Sequence, residues 1–268
     1  MKKIFITIPA ILLAAYVFSQ DTLTTYYDAA WKETSAGKAS YSRKKFKDGT
    51  KWGVIDYYKS GIVQMKGSYL DDSCKKGEGK FVWYYDNGKQ AHVCDYSSGK
   101  ANGKEIYYYD NGKVNVEGSY KMDEYDGDWT GYYQSGKISG KAHYDNGKQL
   151  SGEFYNEDGT VNKNIKTFLQ ESEYPGGTDE LVRFLSTHLK YPKNALKTET
   201  QGTVIVEFIV EKDGKVSNAK VAKSVEESLD NEALRVVNKM PLWAPAVYGG
   251  RLVKSYKRLP IVFKLEAK

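Results

Sequence analysis

The string YYDNGK stands at residues 84–89 and returns at 108–113, 24 positions later. No other feature restricts the fold as strongly. A fixed period of this size marks supersecondary units that cannot bury their apolar side alone and must stack on one another. Further copies align with these two. They are YYKSGIVQMKGSY from Tyr57, YYQSGKISGKAHY from Tyr132 and a decayed FYNEDGTVN from Phe154, so starting positions advance by 27, 24, 24 and 22 residues. KFKDGTKWGVIDYY at 45–58 reads as a partial leading copy. Each unit reads as a β-hairpin. Asn87-Gly88 and Asn111-Gly112 lie between runs rich in Tyr and Val, which predicts a two-residue type I′ turn with φ > 0 at both central positions. Successive strand residues face opposite sides of a sheet, so paired tyrosines send one ring to each face. A single hairpin is marginal in water, whereas several together are not. The 23 Tyr and 25 Gly against 9 Phe suit many short strands with half-wet aromatic faces.

On these strings residues 41–161 resemble MORN repeats, and more closely the MORN-like repeats of bacterial proteins that carry YYxNGK. The spacing drifts, and the Gly-rich second half of the unit is degenerate in QAHVCDY (90–96). The resemblance implies a mainly β array of stacked hairpins. It leaves open a lipid ligand, a protein partner or a plain scaffold.

Residues Met1–Gln20 begin with Lys2 and Lys3 and continue with the uncharged 15-residue run Ile4–Phe18. With Val17-Phe18-Ser19 this is the three-part pattern of a secretory signal peptide, assigned to residues 1–19. The rival is a retained inner-membrane anchor facing the periplasm. A spanning helix needs about 20 apolar residues, and this run is shorter and contains Pro9. Export to the periplasm is the expectation, with secretion as the further alternative and only peripheral membrane contact after cleavage. Removal of Lys2 and Lys3 leaves 38 basic against 34 acidic residues, spread along the chain. That balance is too weak and too dispersed for a nucleic-acid partner. In an oxidising compartment the two cysteines, Cys74 and Cys94, admit either a disulfide or two partly buried thiols.

After Asn162 the tyrosine pattern stops and helical spacing begins. Leu181, Phe184, Leu185 and Leu189 follow YPGG (174–177), with Thr178 as the expected N-cap. QGTVIVEFIVEKDGKVSNAKVAKS (201–224) reads as a hairpin. A two-residue Asp213-Gly214 turn sets Val210 opposite Ser217, Phe208 opposite Ala219 and Val206 opposite Val221, and pairs Glu207 with Lys220. Leu229, Ala233, Val236, Val237 and Met240 share a helical face, with Ser228 as the expected cap and Pro241 after it. Trp243 is expected over the core. YKRLPIVFKL (256–265) is the last strand, and Pro260 assigns it to a sheet edge.

This order, with YPGG, YPKNA, QGTVIVEFIVEKDGKV, LDNEALRVV and MPLWAPAVYGGRLVKSYKRLPIVFKL, closely resembles the TonB C-terminal domain over residues 172–268. The resemblance implies an α+β domain, a small antiparallel sheet with helices on one face. It also implies a periplasmic protein partner, an outer-membrane TonB-dependent transporter or another envelope protein, added as a strand beside the last strand. The residues it marks are Tyr191, Pro192, Tyr256, Lys257, Arg258, Leu259, Ile261, Val262, Phe263 and Lys264. The family passes inner-membrane energy to the transporter through an N-terminal helix bearing Ser and His and a long Pro-rich spacer. The resemblance therefore also implies a part in TonB-dependent transmembrane transport, and three departures bear on that energy-transducing role. Ile4–Phe18 holds neither Ser nor His, the chain has only 6 Pro, and His188 stands where the family has Gln three residues before Tyr-Pro.

The sequence holds no catalytic constellation, and no cofactor is implied. His92, His143 and His188 are far apart, and with two cysteines they offer no zinc-ligand spacing. Asp123, Glu124, Asp126 and Asp128 read as a solvated turn rather than a weak Ca²⁺ site. The chain is therefore read as a non-enzymatic binding protein, the alternative being a repeat scaffold with no energy-transducing role.

Overall fold

The structure is a computed structural model that describes residues 22–265. The expected signal peptide lies outside the described residues. Eleven antiparallel strands form one meander whose spatial order is their chain order. They are β1 (Leu23–Tyr27), β2 (Tyr41–Asp48), β3 (Lys51–Tyr58), β4 (Val63–Tyr69), β5 (Gly79–Tyr84), β6 (Gln90–Ser97), β7 (Lys100–Tyr108), β8 (Val114–Lys121), β9 (Glu124–Tyr132), β10 (Ile138–Asp145) and β11 (Lys148–Phe154). The sheet thus begins 18 residues before the repeat region 41–161 read from the sequence, with Trp31 stacked on Tyr41 at 4.6 Å.

The tyrosines and the lysine of the hexapeptide bond each copy to the next. The second tyrosine of each copy donates its hydroxyl to the carbonyl of the first tyrosine-position residue, or its successor, in the next copy. Tyr58 reaches Tyr84 O at 2.7 Å, Tyr85 reaches Tyr108 O at 2.6 Å, Tyr109 reaches Tyr132 O at 2.6 Å and Tyr133 reaches Tyr155 O at 2.8 Å. The lysine does the same at the turn: Lys89 Nζ donates to Asn111 O, Lys113 Nζ to Ser135 O and Lys137 Nζ to Glu157 O. Each copy therefore fills carbonyls of its successor. A hydrogen bond of this kind contributes about 0.5–1.5 kcal/mol, and only a neighbouring copy can supply its partner.

The turn itself differs from the two-residue expectation. Tyr85 N–H donates to Lys89 O and Gly88 N–H to Tyr85 O, which closes a three-residue loop. Gly88 alone is left-handed (φ +79°), while the Asn87 side chain accepts from Lys89 N–H at 2.9 Å. This is a type I turn followed by a glycine bulge, the usual three-residue hairpin. Two-residue turns with both φ positive sit instead at the opposite ends of the hairpins, at Ser98-Gly99, Met122-Asp123 and Asn146-Gly147. Their backbones lace to the preceding copy through Gly99 N–H to Gly77 O, Asp123 N–H to Ala101 O and Gly147 N–H to Tyr125 O.

Because every copy is bonded to the next, a local defect should spread. Gly112 has φ +89°, and valine there carries a strain on the order of 1–3 kcal/mol. Hydrogen exchange of Gly112→Val should show protection lost from β7 through β10 and kept in the C-terminal sheet. Loss confined to β7 and β8 would contradict a stacked array.

The C-terminal part holds α1 (Gly177–His188), α2 (Lys193–Lys197), β13 (Gly202–Val210), β14 (Val216–Lys223), α3 (Glu227–Val237) and β17 (Ser255–Phe263). Two more short strands, β15 (Ala246–Tyr248) and β16 (Arg251–Val253), form a hairpin that joins β12 (Leu169–Gln170) in a separate three-stranded sheet. The main sheet has the order β14-β13-β17. Leu229, Ala233 and Val237 of α3 bury against Val204, Val206, Phe208 and Val210 of β13, and Trp243 closes over Phe208 as expected. In the middle of the hairpin the expected register holds, with Val206 opposite Val221 and Glu207 opposite Lys220, and beyond it a second shift sets Ile205 opposite Lys223. Toward the turn a bulge shifts the register by one residue, so Ile209 opposes Ser217 and Val210 opposes Val216. The cause is again a three-residue loop, closed by Glu211 N–H to Lys215 O with Gly214 at φ +84°.

Neither expected side-chain cap forms. The N-cap of α1 is Gly176 in the left-handed region, not Thr178. Before α3, Asp230 reaches back to Val225 N–H at 3.2 Å and to Ser224, while Ser228 bonds Glu226. The disulfide considered between Cys74 and Cys94 is not formed either. Cys94 lies buried in β6, Cys74 sits in the β4–β5 connection, and each thiol donates to a carbonyl of its own segment, Asp95 O and Asp72 O.

The two parts share a core. Ile165 and Phe168 of the connecting segment are buried with Val116, Trp129, Ala142, Tyr144, Phe154 and Val247. Phe168 N–H donates to Gln149 Oε1 and its carbonyl accepts from Gly250 N–H. The β15–β16 turn, Gly249-Gly250, rests backbone to backbone on Gly131 and Gly140. Ser139 Oγ donates to Gly249 O at 2.6 Å, and the Arg251 guanidinium lies over the rings of Tyr109 and Tyr248 and bonds Asn115.

Candidate partner-binding edge

β13 has strands on both sides, so its apolar run GTVIVEFIV is satisfied on each flank. β17 pairs with β13 alone, through nine consecutive residue pairs from Gly202–Phe263 to Val210–Ser255 without a bulge. Pro260 has no N–H to give, and it lies opposite Ile205 in this ladder. In an antiparallel strand alternate residues point their backbone groups to opposite flanks. Proline is accommodated where its nitrogen faces away from the partner strand. That places the backbone of 256, 258, 260 and 262 outward and the backbone of 257, 259, 261 and 263 toward β13.

The side chains divide in the same rhythm. Ile261 and Phe263 are buried in the core and Leu259 packs against it, so of the residues singled out on this strand these three hold the sheet together. Tyr256 is 82% exposed and Val262 60% exposed. Lys257 pairs with Glu171 at 3.1 Å, and Arg258 with Glu207 at 3.2 Å on the open face of the sheet. Lys264 is exposed beyond the strand end. Tyr191 sits at that end, its ring edge-on to Phe263 at 5.7 Å and its hydroxyl donating to Thr200 O. Pro192 follows as the N-cap residue of α2. The fold therefore brings Tyr191 and Pro192 to one end of β17 and leaves Tyr256 at the other. Beside Tyr256 a groove of about 430 Å³ runs over Glu207, Ile209, Asn218, Lys220 and Arg258.

The opposite edge, β14, is a poorer template. Asn218 takes φ +52°, the register shifts beside it, and Lys220 and Lys223 line the strand. A break and charges of this kind discourage strand addition.

Elsewhere, Asp123 Oδ1 accepts from Ala101 N–H, and Asp128 pairs with His143 at 2.7 Å, so this acidic run is directed to separate partners. The sequence reading missed one cluster, His92, Cys94 and Glu105, which the β6–β7 register brings together. Among the described residues no helix is long and apolar enough to cross a membrane.

Residues 187–265 match the family described as Gram-negative bacterial TonB protein C-terminal, and residues 101–122 and 125–146 match the MORN repeat variant. The protein TonB of Haemophilus influenzae is 41% identical over 68 residues, which is 25% of each chain, so the resemblance spans a quarter of that relative's length. The NMR solution structure of the Helicobacter pylori TonB C-terminal domain is 24% identical, covering 35% of this chain and 89% of that one, with a TM-score of 0.26.

Proposed function

We propose that this chain is a non-enzymatic envelope protein that captures an extended segment of a protein partner along β17, with the repeat sheet as its rigid mount. The observation that carries this reading is the unbroken nine-pair ladder of β17, which leaves its outer flank free of any strand among the described residues. Strand addition takes its affinity from main-chain bonds and its specificity from alternate side chains. Here the alternate side chains are Tyr256, Arg258 and Val262. Exposed cations on and near the edge favour a neutral or acidic segment. The match of 187–265 to the TonB C-terminal family supports an outer-membrane transporter as the partner and the periplasm as the compartment. The absence of Ser and His from Ile4–Phe18, and the filling of the region before the domain by hairpins, favour an adaptor over an energy transducer.

Photo-crosslinking in envelope preparations tests the reading. A crosslinker placed at Tyr256, Arg258 or Val262 of the full chain should give one shared adduct, and one placed at Lys75 in the repeats should not. Adducts from Lys75 alone would place the partner on the repeat sheet and sink the proposal.

A further inference from the structure

One copy breaks the pattern set by the positions around the paired tyrosines. Three residues before the first tyrosine, the copies carry Val54, Phe81, Glu105 and Trp129, all at most 3% exposed. Three of the four are the apolar core of the sheet. Opposite Phe81 and Trp129, the preceding strand carries Gly67 and Gly118, whose missing side chains make room for the rings. Opposite Glu105 it carries Cys94. Two residues earlier the same strand carries Met65 or Val116 in other copies, and His92 here. One copy has thus exchanged an aromatic–glycine rung and its apolar neighbour for a carboxylate, a thiol and an imidazole.

These three groups converge. Spacing of two along a strand puts His92 and Cys94 on one face, and the register adds Glu105 between them. Their ligand atoms lie within 4.8 Å of one another. His92 Nε2 sits 2.6 Å from Glu105 Oε1, and Glu105 Oε2 is buried with no hydrogen-bond partner. The Cys94 thiol lies beside this carboxylate but donates to Asp95 O, so it does not satisfy Oε2. A fully buried carboxylate with an unsatisfied oxygen is strongly unfavourable unless a cation or further donors complete it. The His92 ring is clamped between Trp83 at 4.5 Å and Tyr107 at 4.2 Å, which fixes its orientation, and its edge provides the opening to solvent.

We infer that His92, Cys94 and Glu105 form a site for a borderline-soft divalent transition-metal ion, with Zn²⁺ as its natural probe. One nitrogen, one sulfur and one carboxylate oxygen make a donor set that tetrahedral Zn²⁺ accepts, leaving a fourth position for water. With bonds of roughly 2.0–2.3 Å the donors need separations near roughly 3.3–3.6 Å. The free Oε2 can serve as donor while Oε1 and Nε2 part slightly. Binding would expel the Cys94 proton to solvent and leave a thiolate on the metal. The ion would pin β6 to β7 in the middle of the array, a role separate from strand capture at β17.

Cobalt titration of the reduced, chelator-treated full chain tests this. One equivalent of Co²⁺ should produce a thiolate-to-cobalt charge-transfer band in the near ultraviolet, bleached by Zn²⁺. Cys94→Ser should abolish the band and Cys74→Ser should keep it. Glu105→Gln should weaken binding by at least the roughly 10–100-fold that loss of an outer partner already costs. The wild-type chain should also carry one equivalent of Zn²⁺ through gel filtration. No band and no retained Zn²⁺ in the wild type would overturn the inference, as would a band that survives Cys94→Ser.

Discussion

Replacing Gly131 with valine should split the molecule into two independently melting parts. A Cβ on Gly131 would lie 2.1 Å from the carbonyl oxygen of Gly249 and 2.7 Å from its Cα. Neither side can retreat. Gly131 is held between Val116 and Gly140 in the ladder, and Gly249 has φ +60° in a tight turn whose carbonyl accepts from Ser139. The β15–β16 turn must therefore lift off, taking Val247 and loosening Phe168. Burial of each such side chain is worth about 1.5–3 kcal/mol, so the shared core loses most of its stabilisation. Calorimetry should show one transition for the wild type and two for the variant, and proteases should cut within 163–170 in the variant but not in the wild type. Gly37→Ala is the control, since its Cβ would meet nothing within 4 Å. A single transition with wild-type protease resistance in Gly131→Val would mean that the two parts do not depend on this contact.

That contact was not legible in the sequence, and the reason is physical. Gly249-Gly250 reads as a loop because glycine pairs usually mark one, and its partners Gly131 and Gly140 lie more than a hundred residues earlier. Local pattern reports which residues permit close approach, not what approaches. The hairpins were legible because Asn-Gly between tyrosine-rich runs is a local signal. The turn type was not, since Gly88 left-handed alone and Asn87-Gly88 both left-handed leave the same letters. The edge position of β17 followed from Pro260, a covalent property that no context alters. Leu259, Ile261 and Phe263 were singled out with the rest of that strand, and the alternation of the strand assigns their side chains to the core. The cluster at Glu105 could have been found beforehand. Its signal is a charge in the column that holds Val54, Phe81 and Trp129, visible once the copies are aligned on Tyr-Tyr rather than read in turn.

Val262→Pro should sharply weaken partner capture and leave the fold standing. Val262 lies opposite Thr203, two residues from Pro260 and in the same backbone phase. Its N–H therefore faces the open flank, and its side chain is 60% exposed on the uncovered face of the sheet. A proline in that phase removes no bond to β13, so the core around Ile261 and Phe263 survives. An incoming strand meets a different surface. One main-chain donor disappears, a carbonyl of the partner is left unpaired at a cost of about 1–3 kcal/mol, and the ring occupies the place of the lost hydrogen. Two prolines in one phase leave only Tyr256 and Arg258 with outward N–H groups on β17. Binding should weaken by at least about tenfold, which corresponds to roughly 1.4 kcal/mol. Titration of the labelled full chain with an extended peptide of a candidate transporter measures this by NMR. Shifts over 254–265 in the wild type, lost in Val262→Pro while the amide spectrum of β13 and α3 is unchanged, are the expected result. Shifts confined to 216–223 would move the partner to β14, and shifts confined to the tyrosine repeats would remove strand capture from this domain altogether. Ile261→Pro separates the backbone argument from a general intolerance of proline. Its N–H faces β13, so it should unfold the C-terminal sheet instead of only silencing its edge.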